Sequence, residues 1–275
     1  MSDKKFKLAL CQIETLSEKT ATLDKAERMV REAAEAGANV AALPEMFACP
    51  YARGYFDAFA EPADGDTVRR MSCWAREYGV YLIGGTIPER DGEKLYNTCF
   101  VFDRQGAVVA RHRKTHLFDV DIAGGIRFRE SDYFAPGDDI CVFDTEYGVM
   151  GAAVCFDMRF PELIRAMAKR GAETILVPAQ FNTTTGPAHW ELIVRMRAVD
   201  NEVFFAAVSA ARSKDFKYQC WGHSTVAGPF GDVLATCDET EQTVFCDIDL
   251  AEVDRVRRQL PTFLRLREDL YPVAK

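Results

Sequence analysis

Short apolar runs alternate along this chain with amphipathic stretches of helical period. Residues 6–13 (FKLALCQI) read as a strand, and residues 39–43 (NVAAL) as a continuous buried strand cut by Pro44. Between them Ala21, Leu23, Ala26, Val30, Ala33 and Ala34 recur at helical spacing, and Gly37 supplies a stop. Residues 64–79 predict a second helix ending at Gly79, followed by a strand at 80–87 (VYLIGGTI). Strands at 97–102 and 107–114 flank a turn near Arg104-Gln105-Gly106. Residues 119–139 contain Gly124-Gly125 and Pro136-Gly137 and predict one long irregular loop, a kind of segment that is often functional.

The second half follows a similar order. Strands at about 140–145 and 148–155 lead to a helix at 160–170, then a strand (ETILVP), a helix at 187–201 and a strand (VFFAAVSA). Strands near 223–228, 232–237 and 242–248 precede a last helix that starts near Asp249. Some strands are linked by hairpins and others by helices, so the sheets should be mixed. This many buried strands predict an α/β fold of four layers, an α-β-β-α sandwich with two mixed sheets inside and helices outside. No linker, low-complexity segment or short repeat interrupts the chain, which reads as a single domain over 1–275.

Composition narrows the functional classes. The net charge is -8, from 34 basic and 42 acidic residues, and no basic run suits a nucleic acid backbone. No apolar run reaches the length of a membrane span, and the N-terminus lacks a signal-peptide pattern. Nine cysteines fall at irregular spacings without a CxxC pair, which argues against zinc-ribbon and thioredoxin readings. The expectation is a cytoplasmic protein with reduced thiols, with no nucleic acid or membrane partner.

Three apolar strands run straight into a reactive side chain. AALPEMF brings Glu45 past a strand end, with Pro44 breaking the ladder. VVARHRKTHLFD does the same for Lys114, and GAAVCFDMRFPE for Cys155. Taken singly, each has a duller reading: a packed thiol, a solvated carboxylate, a surface charge. Together they make chemical sense. A carboxylate takes the thiol proton and returns it to a leaving amine. An ammonium steadies an oxyanion and favours the thiolate. The set suits acyl transfer from an amide or a nitrile.

LPEMF, HRKTHLFD and CFDMRFPEL resemble the signature blocks of the nitrilase (carbon–nitrogen hydrolase) superfamily, and the resemblance extends from LALCQIE to LREDLYPV. It implies the α-β-β-α sandwich, with Glu45 as general base, Lys114 as oxyanion stabiliser and Cys155 as nucleophile. It also implies that Glu130 orients Lys114 and the substrate, that the Phe156 backbone N–H faces the oxyanion, and that no metal or cofactor is needed. FNTTTGPAHWELIVRMRAVDN, CPYARGYF, KLYNTC, HLFDVDIAGG and WGHSTV are most similar to the ω-amidase group. That likeness implies hydrolysis of the terminal amide of 2-oxoglutaramate and 2-oxosuccinamate; deaminated-glutathione amidase is the alternative, and a non-catalytic scaffold a remoter one.

Arg159 lies four residues past Cys155, in the first turn if a helix begins near Asp157, where it could grip the carboxylate of a small carboxylated amide substrate. Its duller reading is an ion pair with Glu162 or another acid. Phe181, Thr185 and Tyr51 are implied as further pocket residues. Phe156 stands where the family often has Tyr, and Gln180 and Ala210-Ala211 also depart from the group's pattern. Asp157 and His116 are scattered singles with no metal-site spacing, and adjacent His223 and Ser224 make a poor base and nucleophile. A homodimer is implied, with the aromatic-bearing tail at about 258–275 reaching the partner subunit.

Overall fold

The computed structural model describes residues 4–267 and 269–270. The first half contains β1 (Lys5–Gln12), α1 (Lys19–Glu35), β2 (Val40–Ala42), α2 (Phe56–Phe59), α3 (Asp66–Tyr78), β3 (Tyr81–Ile83), β4 (Ile87–Asp91), β5 (Lys94–Phe102) and β6 (Val108–Arg113). A hairpin of β7 (Asp119–Asp121) and β8 (Arg127–Arg129) follows. The second half contains β9 (Val142–Asp144), β10 (Val149–Ala152), α4 (Pro161–Lys169), β11 (Thr174–Ala179), α5 (Gly186–Asn201), β12 (Phe204–Ser209), β13 (Thr225–Ala227), β14 (Val233–Thr236), β15 (Gln242–Asp249) and α6 (Ala251–Gln259).

Two mixed sheets form the middle of the fold. One runs β15-β1-β2-β3-β5-β4, with β6 also paired to β5; the other runs β14-β13-β12-β11-β10-β9. Parallel β1, β2 and β3 lie at the heart of the first, and parallel β10, β11 and β12 at the heart of the second.

The apolar runs are explained by burial on both faces. Along β1, Phe6, Leu8 and Leu10 join the core between the sheets, while Ala9 and Cys11 join the core under α1 and α3. Val40 and Ala42 divide from Ala41 and Leu43 in the same way. A strand of period two that is apolar at every position therefore fills two layers at once. On the other side, Leu163, Ile164 and Met167 of α4 and Trp190 and Val194 of α5 cover the second sheet. The layers are helix, sheet, sheet, helix, as the pattern predicts.

Two local expectations need correction. The segment at 80–87 is not one strand: it breaks at Gly84-Gly85 between β3 and β4. Gly85 has φ +59°, and a Cβ there would sit 2.3 Å from the Pro44 carbonyl oxygen. The break lets this turn press against the turn that carries Glu45. Residues 119–139 are not wholly irregular either. They hold the β7–β8 hairpin and a 3-10 turn, Glu130–Asp132, which fixes Glu130.

Candidate active site

Glu45, Lys114 and Cys155 all stand just past strand ends, and docking of the two sheets brings them together. Glu45 follows β2 across Pro44, and Lys114 immediately follows β6. Cys155 lies three residues past β10 and opens a 3-10 turn, Cys155–Arg159. Such strand ends are held by a rigid sheet yet open to a ligand. Cys155 has φ +46° and Met46, next to Glu45, has φ +48°. Left-handed backbone at non-glycine residues costs energy and clusters at functional sites. At Glu45 it is over-determined: the Met46 N–H donates to Thr86 Oγ1 at 2.8 Å, and the Thr86 N–H to the Pro44 carbonyl at 3.2 Å.

Lys114, Glu45 and Glu130 form a fully buried charge cluster. Lys114 Nζ donates to Glu45 Oε1 at 2.8 Å and lies 2.8 Å from Glu130 Oε2. Asn97 Nδ2 donates to Glu45 Oε1 at 2.8 Å and to Glu130 Oε1 at 3.1 Å. The Phe118 N–H anchors Glu130 Oε2 at 2.6 Å. Glu45 Oε2 has no hydrogen-bond partner, which leaves that oxygen free to receive a proton. Burial opposes the Lys114 ammonium, but Glu130 and Glu45 outweigh it and hold its pKa well above the ordinary value. Burial raises the Glu45 pKa against the pull of Lys114. Burial and the Glu45 charge also push the Cys155 thiol well up, so the resting sulfur is protonated.

A second buried cluster secures the Cys155 turn. Asp157 accepts the Val154 N–H at 3.0 Å and the His116 N–H at 2.8 Å. Thr115 Oγ1 donates to it at 2.7 Å, and His112 Nε2 and His116 Nδ1 lie at 3.0 and 2.8 Å. Burial would raise the Asp157 pKa, but hydrogen bonds from His112 and His116 prevail and hold it far below the carboxylate norm. His112 is pushed up to about 9: burial acts downward, and Asp139 and Asp157 overcome it. Thr115 and His116 directly follow Lys114, so Asp157 ties the Lys114 loop to the Cys155 turn. Among the described residues no three His, Cys, Asp or Glu side chains are grouped to hold a metal.

Above Cys155 opens a small recess. Its aromatic walls are Tyr51, Phe118, Phe156, Phe181 and Tyr218. Its polar lining is Arg159, Gln180, Asn182 and Thr185. Arg159 is the one charged side chain there. Its guanidinium lies over the Phe181 ring at 4.6 Å and donates to His189 Nδ1 at 3.2 Å. Among the described residues it has no carboxylate partner, so neither Glu162 nor another acid takes it. The helix expected at 160–170 begins at Pro161, a residue suited to a first helical position, so Arg159 lies before its first turn. Arg159 ends the 3-10 turn, where Arg197 holds the Met158 carbonyl at 2.9 Å and the Arg159 carbonyl at 3.2 Å.

The sequence profile of the carbon-nitrogen hydrolase family matches residues 7–258. The chain belongs to the carbon–nitrogen hydrolase family. Omega-amidase NIT2 of Bos taurus is 47% identical over 268 residues, covering 98% of this chain and 97% of that protein. Omega-amidase NIT2 of Homo sapiens has the same identity and coverage. Among solved structures, Saccharomyces cerevisiae Nit3, a member of branch 10 of the nitrilase superfamily, superposes with a TM-score of 0.88 at 35% identity, covering 96% of each chain. The C. elegans NitFhit protein superposes with a TM-score of 0.90 at 31% identity, covering 99% of this chain and 68% of its own.

As a carbon–nitrogen hydrolase, this enzyme brings together every candidate residue named from the sequence. Glu45, Lys114 and Glu130 meet in one buried cluster beside Cys155, and Arg159, Phe181, Thr185 and Tyr51 join Phe156 around the recess. Four participants were not anticipated: Asn97, Phe118, Asn182 and Tyr218. Asn97 and Asn182 lie inside quoted blocks, but nothing in KLYNTC or FNTTTG separates a buried amide from a turn residue. Gln180, noted only as a departure, donates from Nε2 to the Glu45 carbonyl at 2.5 Å and so braces the base from the opposite sheet.

Proposed function

We propose that this carbon–nitrogen hydrolase is an ω-amidase. It removes the terminal amide of short 2-oxo dicarboxylate monoamides, 2-oxoglutaramate and 2-oxosuccinamate, releasing ammonia. The reading is carried by one observation: an Arg159 without a carboxylate partner, the single charge on the wall of a small recess above Cys155. A planar guanidinium stacked on Phe181 suits a carboxylate at the far end of the substrate. The recess is small and closed in by the rings of Tyr51, Phe118, Phe181 and Tyr218, which favours a short acid over a peptide-like one. The near-full-length relatives named omega-amidase support the same assignment.

In this mechanism Glu45 takes the Cys155 proton as sulfur attacks the amide carbon. Lys114 Nζ and the Phe156 N–H hold the oxyanion. The oxyanion collapses, the C–N bond breaks, and Glu45 passes its proton to the departing ammonia, leaving a thioester. Water then enters, gives its proton to Glu45 and attacks the thioester carbon. The second oxyanion collapses, the C–S bond breaks, and the proton returns from Glu45 to sulfur. Glu130 and Asn97 keep Lys114 and Glu45 in register throughout. No step draws on a metal or cofactor.

The same reading includes a cytoplasmic homodimer acting on a free small molecule. Among the described residues no helix is long and apolar enough to cross a membrane. Among the described residues of the tail the exposed large apolar side chains are Leu260, Leu264 and Leu270. Phe263 is covered by the guanidinium groups of Arg165 and Arg257. Glu268 and residues 271–275 of the expected interface lie outside the described residues.

Ammonia release from 2-oxoglutaramate, deaminated glutathione and glutamine tests the proposal, with Cys155→Ala as control. The expected result is rapid, Cys155-dependent release from 2-oxoglutaramate. Release from deaminated glutathione alone would overturn the substrate, and full activity in Cys155→Ala would overturn the mechanism.

A further inference from the structure

One buried polar group on the wall of the recess has nothing to bond. Asn182 is 5% exposed and stands three residues past β11. Its Oδ1 accepts the N–H groups of Thr184 at 2.9 Å and Thr185 at 3.0 Å. Its backbone carbonyl accepts the Gly186 N–H at 2.8 Å, where α5 begins. The two Oδ1 contacts fix the amide's orientation, because a flipped amide would set its NH2 against two N–H donors. Nδ2 is therefore held on the opposite edge, and there it has no hydrogen-bond partner. The Tyr218 hydroxyl, whose own proton goes to the Gln180 carbonyl at 2.6 Å, turns its oxygen toward Nδ2 without completing a hydrogen bond to it.

An unmatched buried donor costs about 1–3 kcal/mol and is uncommon in folded proteins. This one lines the same small recess as Arg159, which offers a cation and no acid. Thr185, on the same wall, immediately precedes α5, whose positive dipole end adds to the preference for negative charge. On this wall, Arg159 Nε and Asn182 Nδ2 are both unmatched donors.

We propose that Asn182 Nδ2 is a specificity-determining donor that bonds an oxygen at the carboxylate and 2-oxo end of the substrate, beside Arg159. The proposal rests on the ω-amidase reading and deepens it. Arg159 supplies charge, and Asn182 supplies a fixed direction. An amide that presents an ammonium or a methylene to this donor leaves it unpaired and is rejected. Glutamine, which carries an ammonium where 2-oxoglutaramate carries an oxo oxygen, meets a donor and a cation together.

The test compares wild type, Asn182→Ser and Asn182→Asp in steady-state turnover of 2-oxoglutaramate and of uncharged butanamide. Serine retains an acceptor for the turn, removes Nδ2 and adds no charge. Aspartate retains the shape and both acceptors but opposes an anion. Asn182→Ser should raise KM for 2-oxoglutaramate about tenfold, the effect of one lost bond to a charged group, with kcat within about twofold. Asn182→Asp should raise that KM further, while Asn182→Ser, which removes the donor that butanamide cannot pair, should not raise KM for butanamide. An unchanged KM in Asn182→Ser overturns the inference, and so does an equal loss on both amides, which marks a residue that only shapes the turn. A wild type active on butanamide and inert to 2-oxoglutaramate overturns the ω-amidase reading itself, and this inference with it. A wild type active on 2-oxoglutaramate leaves that reading standing and makes the serine variant decide Asn182 alone.

Discussion

Two buried carboxylates flank the Cys155 turn and have opposite fates. Asp157 is saturated by two backbone N–H groups, a threonine hydroxyl and two histidine nitrogens. Its proton affinity is driven down. Glu45 is equally buried but has one oxygen unmet, and its proton affinity is driven up. Burial pushes both the same way; the number of donors decides the outcome. A carboxylate with every lone pair engaged can only hold structure in place. One with a free oxygen can move a proton. The pair shows how environments that push carboxylates apart assign their tasks.

The sharpest way to break the comparison is to remove proton transfer while retaining shape. Glu45→Gln should lower kcat by about 10³–10⁴-fold, the upper range for a lost general acid–base. It should not lower the melting temperature, because Glu130 still pairs Lys114. Calorimetry beside steady-state kinetics checks both halves.

Asp157→Asn should do the reverse. Removing the central charge strands protonated His112 and sets an NH2 against N–H donors. The expected loss is about 3–5 kcal/mol of stability, or roughly 6–20 °C in Tm. The fraction that remains folded should lose far less activity than Glu45→Gln.

Titration separates the clusters next. The His112 pKa is raised from 6.5 to about 9. Its contribution is therefore complete below pH 6.5 and is lost as pH rises through 9, at 1.36 kcal/mol per unit roughly 3 kcal/mol in all. Urea unfolding between pH 6 and 10 should show that decline, and His112→Gln should flatten it. Activity should fail on the other side: as pH drops, the raised Glu45 is protonated earlier than an ordinary carboxylate, so kcat/KM falls above the usual carboxylate range.

The smallest effect concerns the brace. Gln180→Met keeps length and loses the bond to the Glu45 carbonyl. It should lower kcat about five- to tenfold, a neutral hydrogen bond's worth. It should also shift the acid limb of the pH profile, which a purely packing residue would leave in place.

The layers and the candidate residues that meet at the recess were legible because their signals are local. Apolar runs of strand length ending in Pro44-Glu45, Lys114 and Cys155 carry both fold and chemistry in a few residues. The Asp157 cluster was not legible. His112 and Asp157 are 45 positions apart and meet only when the two sheets dock. Asn97 faces the site from the middle of β5, where its neighbours read simply as strand. The β7–β8 hairpin escaped because three-residue strands have too little period to register, and Gly124, at φ +71°, reads as loop punctuation rather than as part of the connection between them.

The pairing of β1 with β15 has a consequence for how the enzyme comes into being. Eight residue pairs, from Lys5 with Asp249 to Gln12 with Gln242, join β1 to β15. On the ribosome, β1 keeps one open edge until β15 has emerged. Gln12 waits as well, since Nε2 bonds the carbonyls of Asp238 and Thr240, both at 2.7 Å. The sheet that carries Glu45 and Lys114 is thus completed by residues made long after Cys155. A nascent chain holds Glu45, Lys114 and Cys155 before the sheet beneath two of them is whole, and β15 closes the edge that β1 opened.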